Sequence, residues 1–269
     1  MAERARCTAR MGGPAHPSSA AEAARRPRRY ARRAMSTPAA FAATAALLGD
    51  PARAAMLQAL LSGEALTASE LARVAGIGAP ATSAHLARLV EGGLLSVHRQ
   101  GRHRYHRLAS EEVAAAIEML GGLALTLAPP RRQWPHGDAF RAVRLCYDHL
   151  AGRLGVSLHT ALVGRAWIAP ADGGWAATEA GEAGLDKLGV DLEAARRARR
   201  FACDCMDWSE RKPHLAGGLG REIAACCLRR HWLGRLPPEG PSDPLARRRL
   251  SLTPEGARRL GEALGVSAA

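Results

Sequence analysis

Apolar residues return at every third or fourth position along most of this chain, the spacing of helices that bury one face. From "FAATAALLGD" at 41–50 onward the pattern is helical. Asp50-Pro51 supplies an N-cap followed by a proline at the first helical position, where its missing N–H does no harm. The helix that follows buries Ala55, Met56, Leu60 and Leu61 and stops at Ser62-Gly63. Thr67 opens the next helix, and Glu70 three residues later completes a capping box. Leu71, Val74 and Ala75 turn inward there until "GIG" at 76–78 breaks the helix. A third helix begins near Pro80 and runs through "ATSAHLARLVEGG". It buries Leu86, Leu89 and Val90 and leaves Thr82, Ser83, His85 and Arg88 on other faces.

The period then changes. "LLSVH" and "RHRYHRL" read as two strands around Gln100-Gly101. Ser110 caps a further helix with Glu111 and Glu112 in its positive first turn and a stripe of Val113, Ile117, Leu120 and Ala124. Three prolines in "LAPPRRQWPHGD", 127–138, interrupt the pattern and predict a linker. Asp138 caps the next expected helix, with Phe140, Val143, Tyr147, Leu150 and Leu154 stepping by 3 and 4. Beyond that point the chain repeats itself. "HLAGRLG" at 149–155 returns as "HLAGGLG" at 214–220, "RAW" at 165–167 as "RHW" at 230–232, and "TEAG" at 178–181 as "TPEG" at 253–256. Each copy reads as helix, helix, strand, turn, strand and a Thr-capped helix, so two degenerate winged-helix-like units in tandem are expected.

The fold class expected is therefore mainly α with small β-hairpins: a winged helix-turn-helix at 35–128, a linker at 129–138, and a C-terminal effector or dimerisation domain at 139–269 carrying the internal repeat. Composition narrows this further. Aromatic residues make up only 4% of the chain, which suits Ala- and Leu-rich helices better than large sheets. The net charge of +13 points toward nucleic acid or an anionic surface. More than half of that excess lies in residues 1–34, where nine Arg face Glu3 and Glu22. This leader is Ala-, Arg- and Pro-rich and is expected to be a disordered tail, or else an over-extension ahead of a true start at Met35. No apolar run approaches the roughly 18–20 residues of a membrane helix, and no secretory signal is evident. A cytoplasmic location without membrane contact is expected, with the six cysteines kept as thiols.

Charge is most concentrated in "LSVHRQGRHRYHRL", 95–108, which holds four arginines and three histidines and no acid. Two short helices joined by a glycine turn and followed by such a hairpin form a winged helix-turn-helix. The major groove of DNA, about 12 Å wide, admits one helix, and a basic hairpin beside it meets phosphates. Residues 67–108 resemble the ArsR/SmtB family of bacterial repressors: "SELA", the "S-x-HL" of the recognition helix, "GLL" and the Arg-rich wing ending in "Y-x-RL" all stand at the family's spacing. The resemblance extends over about 41–125. It implies a homodimer paired through the first and last helices of that domain, binding an inverted repeat in double-stranded operator DNA, with repression relieved by an inducer. By residue type, Ser83 and His85 read or orient on bases, and Thr82, Arg88, Arg99, Arg102, His103 and Arg104 hold phosphates or the minor groove. The start of the recognition helix, "GAPA" at 78–81, is poorer in polar side chains than the family pattern, which shifts affinity toward the wing.

Relatives that sense metals use a Cys-x-Cys pair on the first helix of the helix-turn-helix, or Asp and His on the dimer helix. "SELARV" has no cysteine and "SEEVAAAIEML" no Asp or His, so those two sites are absent. The remaining candidates lie after residue 139. Cys203-Asp-Cys205 brings two thiols together, Cys226-Cys227 adds two more, and Cys-x-Asp recurs ahead of each His-Leu-Ala-Gly. The resulting set is Cys146, Asp148 and His149 with Cys203, Cys205, Asp207 and His214. If the repeats pack about a pseudo-twofold axis, these residues converge on a divalent metal or line a small-ligand pocket. The alternatives are thiols buried as small hydrophobes, Asp and His capping helices near "DWSERKPH", or a redox pair at Cys203 and Cys205. No nucleophile elbow, phosphate loop or zinc-protease signature suggests an enzyme. The function expected is a dimeric DNA-binding repressor released by an effector, with a metal- or redox-sensing repressor and a protein-binding scaffold as alternatives.

Overall fold

The structure is a computed structural model that describes residues 37–127, 137–237 and 244–266. The 1–34 leader and nearly all of the expected linker lie outside the described residues, although Gly137 and Asp138 fall inside a helix.

The amino-terminal part assembles much as its pattern predicts. Helix α1 (Pro38–Leu48) leads to α2 (Pro51–Leu60), whose N-cap Asp50 accepts the Arg53 amide at 2.9 Å. A short strand β1 (Leu66–Thr67) precedes α3 (Ala68–Ala75). Thr67 Oγ1 accepts the Glu70 N–H while the Glu70 carboxylate accepts the Thr67 N–H, so the capping box is complete. Gly76 ends α3 in the left-handed region at φ 65°. Then come α4 (Ala79–Glu91), the hairpin β2 (Leu95–Gln100) and β3 (His103–Leu108), and α5 (Glu111–Leu127). β1 adds to the outer side of β3, with Leu66 opposite His106, giving a three-stranded sheet. A strand of two residues leaves no periodic trace in sequence. Val90, expected inside, is 37% exposed. It sits one step around the helix from buried Leu89 and falls off the edge of the apolar stripe. The core of this part is Met56, Leu57, Leu60, Leu66, Leu71, Leu89 and Leu108, with Ile117 of α5 against it.

The second part departs from the expected helices. α6 (Gly137–Ala142) is short, and where one helix through Leu154 is expected the chain forms a tight hairpin, β4 (Arg144–Cys146) and β5 (His149–Ala151). Tyr147 takes a left-handed φ of 62° in its two-residue turn. Both strands are buried on both faces, Arg144 and His149 included, so no polar–apolar alternation marks them, and the apolar positions around them also satisfy a 3-and-4 spacing. α7 (Gly152–Gly164) starts only after Gly152, φ 80°, has turned the chain. It is followed by β6 (Ile168–Ala171), β7 (Gly174–Ala177), α8 (Glu179–Leu188) and α9 (Leu192–Arg196). The second copy runs β8 (Cys203–Met206), β9 (Pro213–Ala216), α10 (Gly217–Arg229), β10 (Leu233–Arg235), a 3-10 turn at Ala246–Arg248, β11 (Leu250–Leu252) and α11 (Pro254–Leu264). Each copy is therefore hairpin, helix, hairpin, Thr-capped helix, and not the two leading helices its sequence predicts.

The repeat itself is visible in detail. Thr178 caps α8 through the Gly181 N–H at 3.0 Å, and Thr253 caps α11 through the Gly256 N–H at 3.1 Å. Both threonine hydroxyls also donate to the left-handed residue just past the preceding helix, Ala166 in one copy and His231 in the other. The copies exchange partners: α7 packs on β9, and α10 packs on β5. One core fills the space between them, including Leu145, Leu150, Leu162, Leu215, Leu219 and Trp232. Among the described residues no helix is long and apolar enough to cross a membrane.

Close approach in that exchange depends on Gly155 and Gly220. A Cβ on Gly155 would stand 2.4 Å from the Leu150 carbonyl oxygen, and one on Gly220 the same distance from that of Leu215. Gly155→Ala and Gly220→Ala are each expected to lower the unfolding free energy by about 1–3 kcal/mol, the cost of overpacking a filled core. Gly164→Ala, with nothing within 4 Å of the added carbon, should be neutral or stabilising. Urea titration of the three variants checks this.

Candidate nucleic-acid interface and thiol–imidazole cluster

The wing's register decides its chemistry. In the β2–β3 hairpin Arg99 pairs directly with Arg104 and Gln100 with His103. All four are exposed, as are Arg102 in the turn and Arg107. Like charges directly opposite one another destabilise a hairpin. The segment contains no acid, and among the described residues no carboxylate forms a salt bridge with these arginines. The charge is therefore available to an anion from outside. His106 points the other way. It is buried against β1, and burial pushes its pKa down, so it belongs to the wing's inner packing.

Helix α4 presents Ser83 and Arg88 to solvent. Thr82 is different: it is 1% exposed and its hydroxyl donates to the Gly78 carbonyl at 3.0 Å, closing the first helical turn. It is removed from the set of phosphate contacts because its only polar group is already satisfied inside the fold. His85 is half-buried, with Nδ1 3.3 Å from an Arg53 guanidinium nitrogen and 3.7 Å from Asp50 Oδ1. It is turned toward the start of α2 and not fully outward. Arg53 was not legible as a structural residue. It is buried and donates to the Leu47 and Ala46 carbonyls, each at 2.7 Å, fastening the end of α1 to α2. A lone arginine within an otherwise apolar helical stretch is the only sequence sign of that role. α4 begins at Gly78 without a side-chain cap and without an acid in its first turn, leaving its positive end open.

The metal candidates separate into those that meet and those that do not. Cys146 pairs with His149 across β4–β5, and Cys205 pairs with His214 across β8–β9. The two hairpins face each other, so the imidazole centroids lie 5.1 Å apart and the two sulfurs 3.8 Å apart. One ligand atom from each of these four residues lies within 4.8 Å of all the others. Cys203 lines the adjoining cavity outside that set. Asp148 holds His149 Nδ1 at 3.0 Å. Asp207 is fully buried and occupied by Arg144 at 2.9 Å, by the Gly152 amide at 2.6 Å and by Ser209. Its pKa lies well below the usual carboxylate range: burial opposes the charge, but Arg144 and these donors outweigh it. The Cys146 thiol is pushed well up by its hydrogen bond with Cys205 and by burial. Burial pushes His214 down to about 3, so its imidazole is neutral. His149 Nε2 and both ring nitrogens of His214 are buried without a hydrogen-bond partner. A buried polar group left unpaired costs about 1–3 kcal/mol. Cys226 and Cys227 lie apart in the core, where burial pushes Cys227 up to about 12, and they act as small hydrophobes.

A cavity of about 170 Å³ opens beside this cluster, walled on one side by Glu111, Glu112 and Glu118 of α5. α5 is clamped from the C-terminal part. Glu118 pairs with buried Arg248 and accepts the Trp208 indole N–H at 3.1 Å, and Arg144 stacks over the Trp208 ring at 4.3 Å. Trp208 therefore reaches the winged helix directly. The Tyr147 amide adds a second tie, donating to the Leu61 carbonyl at 2.8 Å. Removing one partner of a buried ion pair leaves the other charge uncompensated, at a cost of about 3–5 kcal/mol. Glu118→Ala should show that loss in chemical denaturation, while Arg258→Ala, in an exposed pair on α11, should change stability by less than about 0.5 kcal/mol.

A family profile described as a helix-turn-helix domain matches residues 48–98. The chain is 38% identical over 203 residues to YdfF of Bacillus subtilis (strain 168), described as an uncharacterised HTH-type transcriptional regulator, covering 73% of this chain and 88% of that protein. It is 36% identical over 77 residues to a probable mercury resistance operon repressor of Streptomyces lividans, 29% of this chain and 61% of that one. Among solved structures, the homodimeric winged helix-turn-helix DNA-binding domain Mb0332 of Mycobacterium bovis is similar over 32% of this chain and 79% of that one, at 28% identity and a TM-score of 0.30.

Proposed function

Because this chain belongs to the helix-turn-helix transcriptional regulators of the ArsR type, we propose that it acts as a homodimeric repressor whose wing and α4 grip operator DNA and whose C-terminal domain governs release. The observation that carries the DNA-contact assignment is the direct opposition of Arg99 and Arg104 in a hairpin without acids. That arrangement is unfavourable in the free protein and becomes favourable when phosphates lie along it. Arg102 and His103 extend the same surface, Arg88 flanks it from α4, and Ser83 is the exposed polar side chain nearest the open end of the recognition helix. His85 contributes at the edge, oriented by Arg53 and Asp50. Few polar groups on α4 face outward, so affinity rests mainly on phosphates, and sequence discrimination rests on Ser83 and on DNA shape.

Dimerisation is supported by the far side of α5. Met119 is 75% exposed, Leu120 46% and Leu127 77%, an apolar strip that water covers poorly. Release is supported by the ties from the C-terminal part to α5 and to the α2–β1 turn: a ligand that favours one arrangement of that part shifts the spacing of the recognition helices.

Two measurements test the reading. Each phosphate contact contributes about −0.9 to the slope of log affinity against log salt, so replacing Arg102 and Arg104 together by alanine should flatten that slope by about 2 and weaken binding to every duplex similarly. An unchanged slope in fluorescence anisotropy would remove the wing from the interface. Met119→Glu combined with Leu120→Glu should convert the dimer to a monomer in sedimentation and weaken operator binding with it. A double variant that stays dimeric would place the interface elsewhere.

A further inference from the structure

Two cysteines and two histidines meet between the β4–β5 and β8–β9 hairpins, each hairpin supplying one cysteine and, directly across from it, one histidine. Nothing in the DNA-contact reading uses them. We propose that Cys146, His149, Cys205 and His214 form a tetrahedral site for a divalent ion of the zinc class, held on the pseudo-twofold axis of the C-terminal domain.

Distance supports this first. Two sulfurs each about 2.3 Å from a tetrahedral ion stand about 3.8 Å apart, and Cys146 Sγ and Cys205 Sγ are 3.8 Å apart. A disulfide needs about 2.05 Å. All four ligand atoms lie within 4.8 Å of one another. The second support is a set of buried ring nitrogens without a hydrogen-bond partner, His149 Nε2 and both nitrogens of His214, in residues 7% and 1% exposed; the carboxylate nearest His214 Nδ1, Asp207 Oδ2, stands off at 3.6 Å. The third is orientation. Asp148 Oδ1 lies 3.0 Å from His149 Nδ1, fixing the tautomer that leaves Nε2 as the ligand, the usual carboxylate support of a metal-bound histidine. The helices hold the imidazoles in place through their glycines: a Cβ on Gly220 would lie 3.2 Å from His149 Cβ, and one on Gly155 3.6 Å from His214 Cβ.

Donor chemistry selects the ion. Two sulfurs and two imidazoles in a tetrahedron suit zinc and its analogues and exclude magnesium and calcium, which want oxygen. Binding balances charge inside the core. Two thiols give up two protons to solvent, the imidazoles bind neutral, and the two thiolates cancel the charge of the ion. The site lies apart from the wing, so it stands or falls independently of the DNA reading.

The test uses the full chain, purified under reductant and stripped with a chelator, then titrated with Co(II). One equivalent per chain should raise thiolate-to-cobalt charge-transfer bands and the intense visible bands of tetrahedral cobalt, and Zn(II) should abolish both. Cys203→Ser should leave the spectrum unchanged. Cys146→Ser should lose the charge-transfer intensity of one sulfur. If that variant does not fold, Asp148→Asn provides the second readout, with zinc affinity lowered about 10–100-fold and cobalt still tetrahedral. A reduced chain that gives no charge-transfer band, a band indifferent to Cys146→Ser, or a zinc affinity unchanged by Asp148→Asn overturns the assignment. So does a Cys146–Cys205 disulfide that persists under reductant.

Discussion

The packing of the two repeated copies depends on a single steric permission. α7 and α10 each carry a glycine where the helix meets a backbone carbonyl of its own hairpin and the histidine of the other. With side chains there, the two copies could not exchange partners, the hairpins would separate, and the four cysteine and histidine side chains would not converge. The same close packing places Asp207 where Arg144 and the Gly152 amide can neutralise it in the interior. Arg144 in turn supports Trp208 against α5. A short-range steric condition in the carboxy-terminal part thus sets the anchoring of α5.

Sequence and structure agree where the information is local. Asp50-Pro51, the Thr67–Glu70 capping box and Gly76 each specify backbone geometry through atoms within a few residues, and each is found as written. The wing follows from turn chemistry and strand-forming residues in the same way. The disagreements are tertiary. The stretch from Phe140 to Leu154 carries a helical spacing because β4 and β5 are buried on both faces, and burial on both faces erases the alternation that marks a strand. Thr82 shares a polar character with Ser83, but its place on α4 faces inward and its hydroxyl is spent on Gly78.

The candidate site was legible as a list but not as a geometry. The recurrence of Cys-x-Asp before His-Leu-Ala-Gly marks the two hairpins whose side chains meet. Which members meet follows from hairpin register, since cross-strand pairing brings Cys146 to His149 and Cys205 to His214 while Cys203 pairs with Ala216. The aspartates, equal to the other candidates in sequence, serve as supports: Asp148 steadies an imidazole and Asp207 anchors a loop and an arginine. In the wing, likewise, composition announced a basic hairpin, but only register showed that Arg99 and Arg104 confront one another.

Glu118, Met119 and Leu120 are consecutive on α5, and they face different worlds: the first is locked to Arg248 and Trp208, while the other two are bare to solvent. Neighbours on a helix are about 100° apart around its axis, so turning α5 like a screw by one residue would strip Glu118 from its partners and drive a carboxylate toward the apolar strip. That motion is forbidden by the cost of the orphaned Arg248 charge. Any displacement imposed on this helix must therefore keep its azimuth, and the freedom left to it is tilt and translation as a rod.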